Sequence, residues 1–174
     1  MVVLLRISVS GACWISCSVS VSMFAIAAQT YAGKALTLAV TVTDGETELT
    51  EGADYTVAYS DNTAPGTATV TVTLQGNYTG TASATFPIYG VKGVWNGSKL
   101  TATAHVEKPA EALLIAAVYD GNGKQVSVEA ISLEAGKTSY ETGITTRTSG
   151  YTYKLVLVSK STYAPLCKAW SEKP

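Results

Sequence analysis

The segment GTATVTVTLQGNYTGTASATFPI, residues 66–88, contains the pattern that decides the fold. In its first half, threonines alternate with the apolar residues Ala68, Val70, Val72 and Leu74. A period of two predicts a strand with one buried face and one hydrated face. Threonine suits the hydrated face because its branched Cβ fits the pleated backbone while its hydroxyl stays in water. Such a strand needs no acid, base or nucleophile.

Neighbouring segments extend the same type of pattern in both directions. Residues 35–42 (ALTLAVTV) predict a strand that is followed by a turn at Asp44-Gly45, and residues 54–60 (DYTVAYS) predict a second strand. Gly76-Asn77 closes the threonine strand before the next one begins. Four or five strands without any helical period predict an all-β sandwich or barrel-like module.

Residues 29–88 resemble the tandem immunoglobulin-like repeats of Firmicutes cell-surface proteins. The resemblance rests on YAGK at 31–34, DYTVAYSDN at 54–62, GTATVTVTLQGNYTG at 66–80 and FPI at 86–88. The chain departs from that pattern at Leu38, where a proline is common, and at Leu74-Gln75, where a glycine-containing pair is frequent. Those repeats generally act as spacer or adhesive modules. The resemblance therefore implies an extracellular structural role and no catalytic residue.

A second module is predicted for residues 90–174. Asn96-Gly97 is a hairpin signal, and the residues after it alternate so that Leu100, Ala102, Ala104 and Val106 point inward. Residues 112–132 then read as a second hairpin with its turn at 120–123. Residues 88–91 read as a short linkage in which Gly90 permits hinge motion.

This second stretch is similar to a fibronectin-III-like sandwich of bacterial surface and carbohydrate-active proteins. The matching features are LTATAHV at 100–106, IAAVYDGNGKQVSV at 115–128 and YKLVLVS at 153–159. Relatives carry Phe and Trp in the last strand, where this chain has Val156 and Val158. The predicted fold class is all-β, with two small immunoglobulin-like β-sandwich modules in tandem, residues 24–89 and 90–174.

Residues 1–23 differ in composition from the rest of the chain. Arg6 precedes an apolar, serine-containing run, and Ala25-Ile26-Ala27 has the small-x-small pattern of a secretory cleavage site. The pattern favours a signal or export segment, and a truncated end of a preceding module is the alternative. In either case we expect residues 1 to about 22 to add nothing to the first sandwich.

Composition excludes several function classes. The 174 residues are 47% hydrophobic, which is enough to fill a core, while charged residues make up 14% and the formal net charge is −1. Such a composition predicts no basic patch that would bind nucleic acid and no polybasic segment that would bind anionic lipid. Beyond the export segment, no membrane span is predicted.

The residues that hold metals or form disulfides are few. The cysteines are Cys13, Cys17 and Cys167, and His105 is the single histidine. A structural zinc site needs four close nitrogen or sulfur ligands. The sequence therefore predicts no metal, no cofactor and no disulfide framework in the bulk of the chain.

Some acidic residues are candidates for catalytic or calcium-binding groups. Asp120-Gly121-Asn122-Gly123 resembles the start of a calcium loop, but the bidentate glutamate that such a loop needs is missing, and a hairpin turn explains every residue. Glu107, Glu111 and Glu129 are interpreted as solvated strand ends, and His105 has no acid partner in sequence. No catalytic residue is predicted, and the chain is not expected to be an enzyme.

Two aromatic residues are candidate ligand-binding platforms. Trp95 lies beside the Asn96-Gly97 turn and Tyr140 lies in a polar strand, whereas most tyrosines share a face with core residues. An exposed ring can stack on a pyranose. The primary prediction is a non-catalytic spacer or adhesive module of a bacterial cell-surface protein, located extracellularly. The alternative is a carbohydrate-binding accessory module of a secreted or surface glycan-active protein. The expected partners are neighbouring modules of the same chain and cell-wall or host glycans or proteins.

Overall fold

The computed structural model describes residues 4–9, 17–18, 26–44 and 46–174, and these residues are almost entirely β-structure. The first eight strands are β1 (Leu4–Val9), β2 (Cys17–Ser18), β3 (Gln29–Thr30), β4 (Ala39–Asp44), β5 (Thr47–Glu48), β6 (Tyr55–Ser60), β7 (Gly66–Leu74) and β8 (Tyr78–Thr79). The remaining strands are β9 (Thr81–Asn96), β10 (Lys99–His105), β11 (Ala112–Tyr119), β12 (Gln125–Ser132), β13 (Ser139–Glu141), β14 (Thr152–Ser159) and β15 (Trp170–Glu172). A 3-10 turn, Pro109–Glu111, precedes β11. The predicted all-β, immunoglobulin-like fold class is confirmed. Gly45 of the predicted turn and Cys13 lie outside the described residues.

The chain packs as two compact units. The first contains the described residues of Met1–Ala28 together with Leu36–Asn62 and Thr67–Pro87, and the second contains Gln29–Ala35, Thr63–Gly66 and Ile88–Pro174. Two short segments of the predicted first module thus belong to the second unit. Residues 88–91, which the sequence predicts as a linkage, lie inside strand β9.

In the first unit, β7 has the predicted alternation. It pairs antiparallel with β6, from Tyr55↔Leu74 to Ser60↔Thr69, and it is hydrogen-bonded on its other side to β9. Val70 and Val72 are 0% and 1% exposed. Thr67 and Thr73 lie on the exposed face. The predicted assignment of the two faces is confirmed, because side chains alternate across a strand.

Two tyrosine hydroxyls connect β6 to the β4 segment. Tyr59 Oη donates a hydrogen bond to the Leu38 carbonyl (2.7 Å) and accepts one from the Leu38 N–H (3.1 Å). Tyr55 Oη donates to the Val40 carbonyl (3.2 Å). Backbone groups that are paired in this way need no strand ladder. The predicted strand over 35–42 is therefore partly wrong, since regular β4 begins only at Ala39.

The expectation that residues 1 to about 22 add nothing to the first module is corrected by the structure. Strand β1 pairs in parallel with β4 over six residues, from Leu4↔Ala39 to Val9↔Asp44, and β2 pairs in parallel with β8. The segment LLRISV contains the β-branched residues Ile7 and Val9, which favour extended structure. Its ladder satisfies backbone groups along the edge of β4 that β5 does not pair.

We expect the double substitution Arg6→Pro/Ile7→Pro to destabilise the first unit. Proline removes a backbone donor, and changing two adjacent positions ensures that one of the lost N–H groups faces β4. The loss should be about 1 to 3 kcal/mol in urea unfolding of the full chain, because ladder partners on β4 are left unpaired. The matched control is Arg6→Thr/Ile7→Val, which keeps the strand. Equal stability of the proline variant and the control would show that β1 contributes nothing.

The first unit should also lose stability at alkaline pH. Burial raises the pKa of Tyr55 and of Tyr59 above the ordinary value of 10.0, and the charge of Glu51 acts in the same direction. A phenol with a raised folded-state pKa contributes stability that is complete below its unfolded-state pKa and is lost as pH rises through the folded-state value. Urea midpoints should therefore fall between about pH 9 and about pH 12. Tyr59→Phe should reduce this dependence and cost about 1 kcal/mol at neutral pH, since Leu38 loses its partners. Tyr163→Phe, at a residue that is 68% exposed, is the control and should keep the wild-type pH profile.

The second unit is a sandwich of two sheets around one core. One sheet has β10 between β9 and β13, with β3 parallel to β9, and the other has the order β12-β11-β14-β15. Both sheets contribute to one buried cluster, which includes Leu100, Ala102, Ala104, Leu114, Ala116, Tyr153, Leu155 and Leu157. The four residues predicted to point inward are all buried, as the alternation requires: Leu100, Ala102 and Ala104 of β10, and Val106 directly after it.

Both predicted hairpins of the second unit are present. Asn96 pairs with Lys99, so the loop between β9 and β10 is Gly97-Ser98, one residue later than the Asn96-Gly97 signal suggests. Gly97 has φ +63°, which glycine adopts without steric cost. The β11–β12 hairpin pairs Leu113 with Ser132 and has a register shift near Tyr119.

Gly90 serves close packing rather than the predicted hinge. It lies within β9 at φ +156°, and a Cβ at this position would be 2.6 Å from the Cβ of Tyr31. Tyr31 is fixed next to the strand because its N–H donates to the Tyr89 carbonyl (2.8 Å), immediately after the β3–β9 pairing. A residue with a side chain does not fit against Tyr31 here.

Candidate functional site

Trp95 lies on the core side of β9. It pairs directly with Leu100, whose side chain is fully buried, and residues directly opposite each other on antiparallel strands share a face. Its indole packs against the core and meets the ring of Tyr153 edge-on, at 4.9 Å and 88°. The guanidinium of Arg147 lies 5.4 Å from the ring centroid and is hydrogen-bonded to Glu172. The predicted platform is therefore a partly buried indole next to an ion pair.

The indole nitrogen of Trp95 is an unusual polar group. Nε1 is buried and has no hydrogen-bond partner, the one such side-chain atom found in the described part of the chain. An unpaired buried donor costs about 1 to 3 kcal/mol and calls for an explanation in a native structure. Trp95 thus combines a ring, an unused donor and the adjacent charges of Arg147 and Glu172.

Tyr140 has a structural role in the second unit. Its side chain is 2% exposed, and its hydroxyl donates to the Lys137 carbonyl (2.9 Å) and accepts from the Glu134 N–H (3.1 Å). The ammonium group of Lys137 lies 5.2 Å from the ring centroid. Because a buried ring has no free face for a pyranose, the prediction that Tyr140 is a ligand platform does not fit its position. Trp95 is the remaining candidate of the two.

Of the three acidic side chains that the sequence analysis considers, Glu107 and Glu111 line one cavity of the second unit, whereas Glu129 is not among its lining residues. Glu111 pairs with Lys108 (3.5 Å), and Glu129 Oε1 accepts the Gly143 N–H (2.6 Å). The hydrogen bond from Lys99 lowers the pKa of the Glu141 carboxyl. The two side chains form an exposed ion pair in which Lys99 Nζ lies 2.7 Å from Glu141 Oε2. Within the described residues no group of three or more His, Cys, Asp or Glu side chains could hold a metal ion.

His105 and Asp120 also serve local structure. The Nδ1 atom of His105 lies 3.2 Å from the Ile88 carbonyl oxygen, and its ring packs on that of Tyr89 at 5.3 Å. Asp120 Oδ1 accepts the N–H groups of Asn122 and Lys124, both at 2.9 Å. This is the geometry of an Asx turn, which closes the β11–β12 hairpin. Asp120 Oδ1 thus accepts two backbone N–H groups, whereas a calcium loop would need this oxygen as a ligand.

Cys167 is a free cysteine that packs against the core of the second unit. Burial raises the pKa of its thiol, so it is a weak nucleophile near neutral pH.

The second unit also contains a cavity of about 260 Å³ that the sequence does not predict. It is lined by Tyr89, Val106, Glu107, Lys108, Glu111, Ser159 and Leu166. Its volume is below the range of about 300 to 1,000 Å³ that is typical of small-molecule pockets, and two of its charged groups neutralise each other. The lining residues come from four separate parts of the chain, so no local pattern could have indicated them.

These observations define a class: an immunoglobulin-like β-sandwich protein. Several of its polar side chains, such as Tyr59, Asp120 and Glu129, bind backbone groups. Residues 29–89 match the family model of the bacterial Ig-like domain (group 3). This match supports a bacterial immunoglobulin-like repeat in that segment, and domains of this kind are typically extracellular or surface-exposed and generally non-catalytic. No curated protein and no solved structure matches the chain. In the described residues, no helix has the length and apolar character needed to cross a membrane.

Proposed function

We propose that the chain is a non-catalytic spacer or adhesive segment of a bacterial cell-surface protein. The observation that carries the proposal is the family match over residues 29–89, since such domains are typically extracellular structural modules. The side-chain chemistry is in accord with it, because Glu129 binds a backbone N–H group and Glu111 and Glu141 each pair with a lysine. Catalysis by acids or bases would need groups with matched pKa values that converge on a substrate.

We also propose that the second unit is a fibronectin-III-like module that continues the first. Support comes from its two sheets on a single core, with a hairpin at each predicted position. In such an arrangement the partners of each module are its neighbours in the same chain.

Deleting the segment from the surface protein that carries it tests the spacer role. An epitope tag placed on the side of the segment away from the cell should become less accessible to antibody when residues 29–174 are removed. Replacing the same residues with two unrelated β-sandwich domains should restore access, because a spacer acts through size and rigidity. If the deletion left antibody access unchanged, the spacer role would be wrong.

A second candidate, glycan binding, is favoured by the surroundings of Trp95. The partly buried aromatic ring and the neighbouring Arg147–Glu172 pair are the kinds of group that recognise sugars. In this proposal Trp95 would contact a sugar of a cell-wall or host glycan through the part of its indole that neither the core nor Arg147 covers. The substitution that separates the two functions is Trp95→Ala.

A further inference from the structure

A small cavity lies beside β15, the terminal strand of its sheet. It has a volume of about 180 Å³ and is here called the β15 cavity. Its walls come from the segment after β3, from β9 and from the segment that leads into β15, and they include Tyr31, Gly33, Val91, Lys168 and Trp170. All of the lining residues belong to the second unit, so a single folded body forms the cavity.

Trp170 provides the largest aromatic surface of the β15 cavity. It lies opposite Leu155 of β14, whose side chain is fully buried, so the indole is on the core side of its sheet. There the indole lies against Gly93 of β9, where an added Cβ would be 2.6 Å from Cη2 and 2.7 Å from Cζ2 of the ring. The ring is partly buried against the core and also lines the cavity. Gly93 therefore makes room for an aromatic ring that borders the cavity.

The charge around the β15 cavity is positive. Lys168 is part of the lining, and Lys34 directly follows the lining residue Gly33. Neither lysine forms an ion pair with an acidic side chain in the described part of the chain. The lining contains no Asp or Glu, and Glu172, the next acid along β15, is bound by Arg147. An anion that enters the cavity is therefore attracted without competition from a carboxylate of the lining.

Two other cavities of the second unit differ in their charge. In the cavity of about 260 Å³, Lys108 is paired with Glu111, and Glu107 adds a second carboxylate. A cavity of about 170 Å³ beside β12 has no charged residue in its lining. Of these three cavities, the β15 cavity alone combines a lysine with an aromatic ring and has no acid in its lining.

We propose that the β15 cavity binds a small aromatic carboxylate. The ring of the ligand packs against the indole of Trp170, and its carboxylate pairs with the ammonium group of Lys168. The ligand has one ring, since the cavity is smaller than the range of about 300 to 1,000 Å³ that is typical of sites for larger molecules. This binding goes beyond the spacer function and does not depend on it.

An NMR titration of the ¹⁵N-labelled full chain tests the proposal. The probe is phenylacetate, and the readout is the indole N–H signal of Trp170, assigned by triple-resonance experiments. The wild type should bind phenylacetate with a dissociation constant of about 10 mM or lower, since a ligand of this size makes few contacts. Phenylacetamide has nearly the same shape without the charge. It should bind at least about fivefold more weakly, because it does not pair with the Lys168 ammonium group.

Two variants locate the site. Lys168→Gln should weaken the binding of phenylacetate at least about fivefold and leave the binding of phenylacetamide unchanged. Lys124→Gln removes the same charge from the turn between β11 and β12 and should bind phenylacetate like the wild type. Both lysines are exposed, so both variants should keep the wild-type melting temperature.

Three results would overturn the proposal. The first is a Trp170 signal that does not shift up to about 50 mM phenylacetate. The second is equal affinity for phenylacetate and phenylacetamide, because the positive charge would then play no part in binding. The third is an equal effect of Lys168→Gln and Lys124→Gln on the binding of phenylacetate, because the charge would then act from anywhere on the chain.

Discussion

Val72→Asp should unfold the first unit at room temperature, with a loss of about 4 kcal/mol or more in the free energy of unfolding. Val72 is 1% exposed and pairs with Val57 in the middle of the β6–β7 ladder. A carboxylate at this position would be buried without a partner, and such a loss is comparable to the whole stability of a small domain. Far-UV circular dichroism and urea unfolding of the full chain measure the effect.

The matched control is Thr71→Asp, one residue earlier on the same strand. Thr71 lies on the opposite face, and its Oγ1 is 2.8 Å from Ser83 Oγ in an exposed hydrogen bond. Its replacement should cost about 1 kcal/mol, because the new carboxylate stays hydrated. If the two variants melted alike, the assignment of the faces of β7 would be wrong.

Gly90→Ala should destabilise the second unit by about 2 to 4 kcal/mol. The added methyl group would meet the Cβ of Tyr31 at 2.6 Å, so the strands must move apart or the alanine must adopt a strained conformation at φ +156°. A hinge glycine at the surface would instead tolerate alanine, and the unfolded chain would even be slightly stiffened. The substitution therefore separates the packed glycine from the hinge that the sequence suggests.

Gly121→Ala is the control for this substitution. Gly121 lies in a turn where an added Cβ would meet its nearest atom, the Gly150 carbonyl oxygen, at an ordinary 3.8 Å. It should change the free energy of unfolding by less than about 1 kcal/mol. Equal midpoints for Gly90→Ala and Gly121→Ala in urea would contradict the close packing between Tyr31 and Gly90.

Local alternation predicted the strands whose two faces differ in chemistry. β7 and β10 have threonine opposite aliphatic residues, so both the strand and its buried face follow from the sequence. Residues 35–38 look like the same pattern, but their backbone is held by Tyr59 and Asn62 instead of a neighbouring strand. Strand β1 was missed because its composition is also that of an export segment. The role of Gly90 depends on Tyr31, a contact that no local pattern contains.

The candidate site was harder to predict than the fold. The sequence makes Tyr140 a candidate because its strand is polar, yet Ser139 and Glu141 on either side of it are the polar residues, so a period of two places Tyr140 inside. That signal was available in the sequence. The unpaired nitrogen of Trp95 and the position of Arg147 depend on the tertiary structure, since the two residues lie far apart in sequence. The β15 cavity likewise becomes visible only in the folded chain, because its lining comes from three separate segments.

Retention of the full chain on insoluble cell-wall and plant polysaccharides tests most directly whether this protein is a structural segment or a glycan-binding module. The account predicts that wild type, Trp95→Ala and the surface control Thr103→Ala all remain in the supernatant to the same extent as an unrelated protein. Melting curves establish that Trp95→Ala is folded, and Arg147→Ala provides a second variant that leaves the ring in place. The opposite result would be that the wild type and Thr103→Ala are retained while Trp95→Ala and Arg147→Ala are not. That result would contradict the account and establish a glycan-binding module.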